Sequence, residues 1–451
     1  MTAARTYGSF QVERTISISN MAEQAYLSFF MVFNSLCDCK MGRELEIFET
    51  SPISDFRPSK GEGCWLWDEK GDRYLDLLSG TWCSVLGHAH PRFIQAIQTQ
   101  AKKLIHTGTG VLAQEVRDAA ERLATTLPAH LNRTTFLNTG SEAVEFAIKA
   151  ARIATNRTEV IGFRQGYYGA TVNALALSEV GRGARYLPVT SKVPAIPAPT
   201  CYHCPLGQSY PECQYACLTE WQADTVQHAK QVAAIMFEPV QARAVIVPPP
   251  GYLKALAKLA QEWGCLLISE EVTTGMGRTG CWFGFQRDNI SPDILVLGKA
   301  LGNGLPVASV VTTTEVEKAF AGKFIHAQSH QNDPFSGAIA ATVIDIIRDE
   351  RLMEKARDMG SHLLRGLEHI QSAHTGIGSA RGLGLMTALG LEGPNAEERG
   401  VRIQRRLRDQ GVIVDFNRPV ASFRFFPPYI VTKPQLDMAL EALDSIVEDS
   451  L

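Results

Sequence analysis

The chain has 451 residues, more than one hydrophobic core usually serves, so we expect two or more domains. Hydrophobic residues make up 45% and charged residues 20%, which is typical of a globular protein and excludes disorder as the dominant state. The 44 Lys and Arg residues against 47 Asp and Glu residues give a net charge of -3. That balance argues against a nucleic-acid partner, because phosphate binding requires a concentrated basic face.

The N-terminal stretch has no regular hydrophobic period, and we predict that residues 1–45 are an extension of unknown role. Its most apolar part, residues 26–37, is too short to cross a membrane. It follows Glu23 instead of a basic cluster and fits a secretory signal poorly. A mitochondrial presequence is an alternative, because Arg5 and Arg14 lie among Ser and Thr residues. We predict a cytoplasmic protein without a membrane partner.

The regular part of the chain divides into three predicted parts. Residues 46–90 are expected to pack with a small domain, residues 91–335 to form a large α/β domain, and residues 336–451 to form the small α+β domain. The predicted strands of the large domain are Glu159 to Phe163, Ala233 to Phe237, Cys265 to Ser269, Asp293 to Leu297 and Val307 to Val311. Helical stretches between them predict a mainly parallel sheet covered on both faces. Ligands of such sheets gather beyond the carboxyl ends of the strands.

A lysine lies just beyond one of these buried strands. Lys299 stands between glycine and small residues in DILVLGKALGNGLP. Lysines are usually solvated, so one interpretation is a side chain that extends outward from the strand end. The other is an amine kept neutral by an apolar pocket, which can form a Schiff base.

Two carboxylates end another predicted strand. Side chains alternate along a strand, so only one of Glu270 and Glu271 can face a given site. A buried carboxylate is costly unless a cation partners it, and a protonated pyridine nitrogen would be such a cation. The alternative is that both acids pair with Arg278 in the glycine-rich turn that follows.

A helix N-terminus with free backbone N–H groups is predicted after FLN. Thr139 and Glu142 have the spacing of a capping box. Thr139, Gly140 and Ser141 then offer hydroxyls and N–H groups that suit a phosphate, although plain capping is the alternative. Tyr167 follows a strand and lies between glycines, so its ring is available to stack on a flat ligand.

Four cysteines lie close together in CYHCPLGQSYPECQYAC. Cys201, Cys204, Cys213 and Cys217, with His203 between the first two, suggest zinc or an iron–sulfur cluster as one interpretation. Their C-x2-C-x8-C-x3-C spacing is not that of a standard zinc ribbon. Free thiols or a facultative disulfide are the interpretation we favour, so the predicted site contains no metal.

Together these motifs resemble the class III aminotransferases, the pyridoxal-phosphate enzymes of fold type I. The paired acids followed by GMGRTG, together with GKALGNGLP, carry the resemblance, which covers roughly residue 50 to the C-terminus. SVLGHAHP, IPAPTCYHCP, SHQNDP and FRFFPP are most similar to the dialkylglycine decarboxylase branch. The resemblance implies a mainly parallel seven-stranded sheet sandwiched by helices, a smaller α+β domain, and a homodimer that shares its active sites.

The resemblance also implies a role for each site residue. Lys299 would hold the cofactor as a Schiff base and move protons, Glu270 would face the pyridine nitrogen, and Tyr167 would cover the ring. The other implied cofactor-binding residues are Thr139, Gly140, Ser141, Thr273 and Ser329, the last reaching the phosphate from the neighbouring subunit. The implied substrate-binding residues are Arg424, whose fork would bind the substrate carboxylate, Thr81 and Trp82.

Four positions depart from the family pattern. Glu270 stands where the family has an aspartate, Tyr168 where a histidine is usual, Thr273 where a glutamine or another residue is common near the cofactor oxygen, and Thr81 where the decarboxylase has a glutamine at the substrate. The last departure weakens the case for decarboxylation. The predicted function is therefore transfer of an amino group between an amino acid or amine and a 2-keto acid. The alternatives are decarboxylation-dependent transamination, amino-acid epimerisation, and a non-catalytic scaffold that keeps the fold.

Overall fold

A computed structural model of the protein describes residues 55–182, 184–187 and 193–448. Its strands are β1 Pro58–Glu62, β2 Trp65–Asp68, β3 Arg73–Asp76, β4 Arg133–Leu137, β5 Glu159–Ile161, β6 Val232–Phe237, β7 Leu266–Glu270, β8 Ile294–Leu297, β9 Ala308–Thr312, β10 Ile377–Gly382, β11 Thr387–Leu391, β12 Val412–Ile413, β13 Asp415–Asn417 and β14 Ser422–Phe425. The predicted N-terminal extension lies outside the described residues.

Helices fill most of the connections between these strands. They are α1 Pro91–Lys103, α2 Gln114–Ala124, α3 Gly140–Thr155, α4 Val172–Leu177, α5 Ala216–Thr225, α6 Tyr252–Trp263, α7 Thr314–Phe320, α8 Pro334–Asp349, α9 Leu352–Ala373, α10 Ala396–Asp409 and α11 Lys433–Glu448. The sequence predicted the end of α6 correctly, because Gly264 caps it with a left-handed φ of 57°. Among the described residues, none of the helices combines the length and apolar character that a membrane crossing requires.

The largest sheet has the strand order β4-β9-β8-β7-β6-β5. The neighbours from β5 to β8 are parallel, and β9 is antiparallel to both β8 and β4. All residues of β6, β8 and β9 are buried, as expected of strands with helices on both faces. This confirms the predicted mainly parallel α/β architecture, and each predicted strand corresponds to one of β5 to β9.

The described sheet differs from the expectation in two ways. It has six strands instead of seven. Beyond β5, an isolated parallel bridge between Phe163 and Ile196 stands in place of a further strand. The apolar pattern of the sequence also does not predict β4, whose residues RTTFL have only two large apolar side chains. Its backbone pairing with β9 stabilises it in place of a strong apolar pattern.

Two smaller sheets lie outside the large one. One has the order β1-β2-β3-β12, in which β3 runs parallel to β12 with Leu75 opposite Val412. The other has the order β10-β11-β14-β13. Strands from before residue 91 and after residue 411 therefore share a sheet. The predicted domain boundaries stay predictions, because the chain from Phe56 onward forms one compact unit.

The carboxyl ends of five strands, β4 to β8, meet at one edge of the large sheet. Side chains that follow these strands are therefore brought together although they are far apart in sequence. Gly140 follows β4, Tyr167 follows β5 and Glu238 follows β6. Glu270 ends β7 and Lys299 follows β8.

Candidate active site

Lys299 begins a short 3-10 turn directly after β8, with a left-handed φ of 41°. Its Nζ donates a hydrogen bond of 2.6 Å to Thr273 Oγ1 and lies 4.4 Å from the centre of the Trp82 ring. Burial lowers the pKa of the amine below its ordinary value, and the nearby Glu270 opposes that shift. The amine therefore lies inside a pocket instead of extending into solvent from the strand end.

Glu270 lies at the end of β7 and is only 4% exposed. Its Oε1 accepts a hydrogen bond of 3.3 Å from the backbone N–H of Val272. Burial raises the pKa of Glu270 well above its ordinary value, and the neighbouring carboxyl of Glu238 raises it further. A carboxylate so placed is stabilised by a cation, and a protonated ring nitrogen would supply one.

Glu271 points to the other side of the strand, as the alternation rule predicts. Its carboxylate accepts hydrogen bonds of 2.7 Å from Gly284 N and 2.9 Å from Phe285 N, and burial raises its pKa to about 7. Arg278 contacts neither acid in the described structure and instead donates to carbonyl groups, including Pro427 O at 2.6 Å. The alternative in which both acids pair with Arg278 is therefore wrong.

Glu238 is a site residue that the sequence analysis missed. It directly follows β6, is 4% exposed, and accepts backbone hydrogen bonds of 2.9 Å from both Tyr167 and Ala242. Burial raises its pKa to about 7. The signal was available, because Glu238 occupies the position just after a predicted strand where ligands are expected.

The predicted helix N-terminus lies at the start of α3. Thr139 is its N-cap, and its Oγ1 accepts a hydrogen bond of 3.2 Å from Glu142 N. Gly140 lies so close to the turn after β7 that a Cβ added there would be 2.8 Å from a methyl carbon of Val272. Ser141 Oγ accepts a hydrogen bond of 2.9 Å from Ala170 N, which ties this helix N-terminus to the segment after β5.

The predicted phosphate ligand Ser329 is exposed in the described chain. Its neighbour Gln328 donates a hydrogen bond of 2.7 Å to Asn138 Oδ1, next to this helix N-terminus. The structure therefore places the segment with Ser329 at the rim of this edge of the sheet.

The two adjacent tyrosines have different surroundings. Tyr167 is 42% exposed, so its ring is accessible. Tyr168 is buried, and its hydroxyl accepts a hydrogen bond of 2.9 Å from Phe163 N. Tyr168, which departs from the family's histidine, thus belongs to the core around β5.

A left-handed turn carries the predicted substrate residues Thr81 and Trp82. The φ angles from Ser79 to Trp82 are 51°, 55°, 59° and 72°, a conformation that costs L-residues energy and is retained where surrounding contacts hold it. Asp76 supplies such contacts, since its carboxylate accepts the Ser79 N–H at 2.8 Å. Trp82 stacks on Phe426 at 4.5 Å, and its buried Nε1 has no hydrogen-bond partner in the described structure.

Arg424 lies on β14, and its guanidinium carbon is 4.6 Å from the centre of the Trp82 ring. Its Nε donates to a carboxylate oxygen of Asp415. Its Nη1 donates to the carbonyl groups of Ala242 at 3.3 Å and Arg243 at 3.2 Å. Trp82 therefore lies beside both cations of the site, Lys299 and Arg424.

These features define a class of site. Four features converge at one edge of the α/β sheet. They are an amine with a lowered pKa, a buried acid, an accessible aromatic ring, and a helix N-terminus that begins with a glycine. The acid suits a pyridinium nitrogen, the amine suits an aldehyde, and the helix N-terminus suits a phosphate. The residues therefore fit pyridoxal 5'-phosphate held as in the fold type I transferases.

Comparison with known proteins agrees with that class. Residues 49–447 match the family model of the class III aminotransferases. The chain is 33% identical over 395 residues to an acetylornithine aminotransferase of Methanothermobacter thermautotrophicus, covering 87% of this chain and 93% of that protein. It is 32% identical over 400 residues to a leucine/methionine racemase of Thermococcus litoralis, covering 86% and 90%.

A solved structure shows the same fold. An amine transaminase from an uncultivated Pseudomonas species, with pyridoxal phosphate bound, superposes with a TM-score of 0.85 at 27% identity, covering 91% of this chain and all of that chain. The protein belongs to the class III aminotransferases. It is an enzyme that uses pyridoxal phosphate to transfer an amino group between an amino substrate and a keto acid.

Proposed function

We propose that this aminotransferase acts on an amino acid or amine and a 2-keto acid, with Lys299 as the residue that carries the cofactor and moves protons. The observation that carries the proposal is the position of the amine, held by Thr273 and close to the buried acid Glu270. A lowered pKa leaves more of the amine in its neutral form, which is the form that accepts a proton.

When bound, pyridoxal phosphate supplies an electron sink for the bond that breaks at the substrate Cα. The protein supplies the rest. Glu270 stabilises a proton on the ring nitrogen, because a buried carboxylate favours a cation beside it. Glu238 holds the backbone of Tyr167 and so positions the ring that covers the cofactor face. Thr273 holds Lys299 Nζ where it can transfer a proton at Cα.

The phosphate and the substrate carboxylate have separate candidate sites. The N–H groups at the start of α3, with Thr139, Gly140 and Ser141, are proposed to bind the phosphate, and Ser329 to add a hydroxyl. Arg424 is proposed to bind the substrate carboxylate beside Trp82, with Thr81 at the same turn. None of the described residues accepts a hydrogen bond from the Nη2 group of Arg424, so that group is the part of the guanidinium left for the substrate carboxylate.

The proposed assembly is a homodimer with shared active sites. Exposed apolar side chains support it, since Ile105 is 56%, Val111 55%, Leu112 49% and Phe324 85% exposed. Exposed apolar groups of this kind are typical of protein interfaces. The proposed compartment is the cytoplasm, where free thiols are kept reduced; a mitochondrial location is the alternative.

Epimerisation is the second candidate function, because the racemase relative shares 32% identity over most of both chains. Loss of deuterium from the substrate Cα without a keto product would identify it. Carbon dioxide release from 2-aminoisobutyrate would instead identify the decarboxylation-dependent reaction. We expect neither result to dominate, and we expect keto product to form in proportion to aminated acceptor.

The test of the Lys299 assignment is reductive labelling. The protein with pyridoxal phosphate is treated with borohydride, digested, and analysed by mass spectrometry. We expect the pyridoxyl group on Lys299 and a loss of labelling and of transaminase activity in Lys299→Ala. Lys258→Ala is the matched control, because Lys258 is an exposed helical lysine. Labelling elsewhere, or an unlabelled and inactive protein, would contradict the assignment and favour the scaffold alternative.

A further inference from the structure

A histidine completes the anchor of the left-handed turn that carries Trp82. Asp76 is 1% exposed, and its Oδ1 accepts hydrogen bonds of 2.9 Å from Leu78 N and 2.8 Å from Ser79 N. Its other oxygen, Oδ2, lies 2.8 Å from His88 Nε2. An ionised carboxylate only accepts hydrogen bonds, so Nε2 carries the hydrogen of this contact. Three donors therefore hold one buried carboxylate.

The position of the His88 ring is fixed by the chain around it. The backbone N–H of His88 donates a hydrogen bond of 2.8 Å to Gly63 O, and its carbonyl group accepts one of 2.9 Å from Gly63 N. The ring packs directly on Gly61 of β1, where an added Cβ would lie 2.7 Å from His88 Cγ. Only 20% of the His88 side chain is exposed. A side chain at residue 61 would therefore displace the ring from its place beside Asp76.

The anchored turn fixes the Trp82 ring from two sides. Trp82 N donates a hydrogen bond of 2.8 Å to the carbonyl group of Leu78, one of the two residues whose N–H groups Asp76 binds. Ser79, the other one, donates its hydroxyl hydrogen to Phe426 O at 2.5 Å, and the Phe426 ring stacks on that of Trp82. A shift of the Asp76 carboxylate would therefore be passed to the Trp82 ring through a single turn of chain.

We propose that His88 is a positioning residue, which sets the place of the Trp82 ring by holding Asp76. The inference rests on the proposed function, in which Arg424 and Trp82 bind the substrate. The centre of the Trp82 ring lies 4.4 Å from Lys299 Nζ and 4.6 Å from the guanidinium carbon of Arg424. The ring thus borders the space between the amine and the guanidinium. A misplacement of about 1 Å in such a site can cost about a hundredfold in rate.

Loss of the His88 donor would leave a buried acceptor without a partner. Among the residues that the structure describes, His88 provides the one hydrogen bond to Asp76 Oδ2. An unpaired buried carboxylate oxygen is costly, so the carboxyl group must rotate toward water or another donor. That rotation would draw Oδ1 away from the N–H groups of Leu78 and Ser79. The turn, which holds Thr81 at a φ of 59°, would then lose contacts that retain its unfavourable backbone angles.

The kinetic test compares three variants of this anchor. His88→Leu removes the donor, His88→Gln keeps an N–H group at a similar reach, and Gly61→Ala displaces the ring without changing it. We expect the KM of the keto acid to rise about tenfold in His88→Leu and Gly61→Ala and to stay near the wild-type value in His88→Gln, with borohydride labelling of Lys299 intact. His374→Leu is the matched control, because His374 Nε2 also lies 2.7 Å from a carboxylate, that of Asp444. It should keep wild-type kinetics.

A second measurement does not depend on catalysis. Cys83 ends the turn, and its N–H donates a hydrogen bond of 2.9 Å to Ser79 O, so alkylation of its half-buried thiol reports opening of the turn. We expect Cys83 to be alkylated about tenfold faster in His88→Leu and in Gly61→Ala than in the wild-type protein or in His88→Gln. Cys281 is also half-buried and serves as the internal reference, whose rate should not change. Mass spectrometry of the digested protein assigns both rates.

A double-mutant cycle separates positioning from a general loss of stability. If His88 acts through Trp82, His88→Leu should raise the KM little further in a Trp82→Ala background, whereas a fully additive effect would overturn the inference. An unchanged KM in His88→Leu would also overturn it, as would equal losses in His88→Leu and His88→Gln. Wild-type protein without transaminase activity or a label on Lys299 would instead contradict the proposed function, while the Cys83 alkylation rates would still decide whether His88 holds the turn.

Discussion

Asp415 and Arg424 face each other across the pairing of β13 with β14, and the Arg424 guanidinium donates its Nε hydrogen to the Asp415 carboxylate. The Nη1 group is also occupied by two backbone carbonyls. The two-bond fork that the sequence predicts for a substrate carboxylate is thus partly in use. A carboxylate can bind through Nη2, or it must displace Asp415.

Asp415→Asn should strengthen the binding of carboxylate substrates. The variant keeps an oxygen for Nε but removes the charge that neutralises the guanidinium, so the KM of the keto acid should fall by about tenfold, which corresponds to ~1.4 kcal/mol. Steady-state kinetics with an amine donor that lacks a carboxylate provides the control, because its KM should hardly change. A KM for the keto acid that rises or stays constant would show that Asp415 mainly orients Arg424.

Glu270→Gln should lower kcat by about 100-fold, since a neutral amide no longer stabilises a protonated ring nitrogen. Glu270→Asp is the matched variant, because it restores the acid of the family and keeps the charge. We expect it to retain much more activity than the amide. Stopped-flow half-reactions of the two variants would separate this effect from substrate binding. A larger loss in Glu270→Asp than in Glu270→Gln would indicate that side-chain length matters more than charge.

The stability of the enzyme should depend on pH through Glu271. Burial raises its folded pKa from 4.5 to about 7, so the folded chain keeps a proton that the unfolded chain loses. The free energy of unfolding should therefore fall as the pH rises from about 4.5 to about 7, by about 3 kcal/mol for a shift of that size. Denaturant titrations of Glu271→Gln across this range should give a shallower slope, with Glu238 accounting for part of what remains. An unchanged slope would rule out Glu271 as its origin.

Gly140→Ala should weaken cofactor retention. Its new Cβ would lie 2.8 Å from a Val272 methyl carbon, so the first turn of α3 must move away from the turn that follows β7. We expect the bound cofactor to dissociate at least tenfold faster, as followed by absorbance during dialysis, if the N–H groups of that turn bind the phosphate. The double variant with Val272→Ala makes room for the Cβ and should recover most of the retention. Unchanged retention in Gly140→Ala would place the phosphate elsewhere, and failure of the second substitution to rescue the first would show that the clash with Val272 is not the cause of the loss.

Local patterns were sufficient to predict several residues that the structure brings together. A lysine and paired acids next to apolar strands, and a capping box before an amphipathic helix, are short-range signals, and the structure brings Lys299, Glu270 and the start of α3 to one edge of the sheet. Glu238 was missed, although it follows a predicted strand.

Other features have no local signal. Asp415 lies opposite Arg424 because of the register between β13 and β14, and that register cannot be predicted from the local sequence. Tyr168 looked like a departure at the active site, but its neighbour Tyr167 takes the accessible position while the hydroxyl of Tyr168 bonds Phe163 N in the core. The positive φ angles of Ser79 to Trp82 also follow from tertiary contacts, since Thr81 and Trp82 do not favour them intrinsically.

The left-handed turn at Thr81 makes one substitution in the proposed substrate pocket favourable. A branched side chain such as that of Thr81 is a poor fit for a φ of 59°, whereas glycine adopts that angle freely. Replacing Thr81 with glycine would therefore enlarge the space at the proposed substrate site and relieve strain in the same step. For an enzyme engineered to accept bulkier amines, this one substitution would widen the substrate range and increase the stability of the folded chain together.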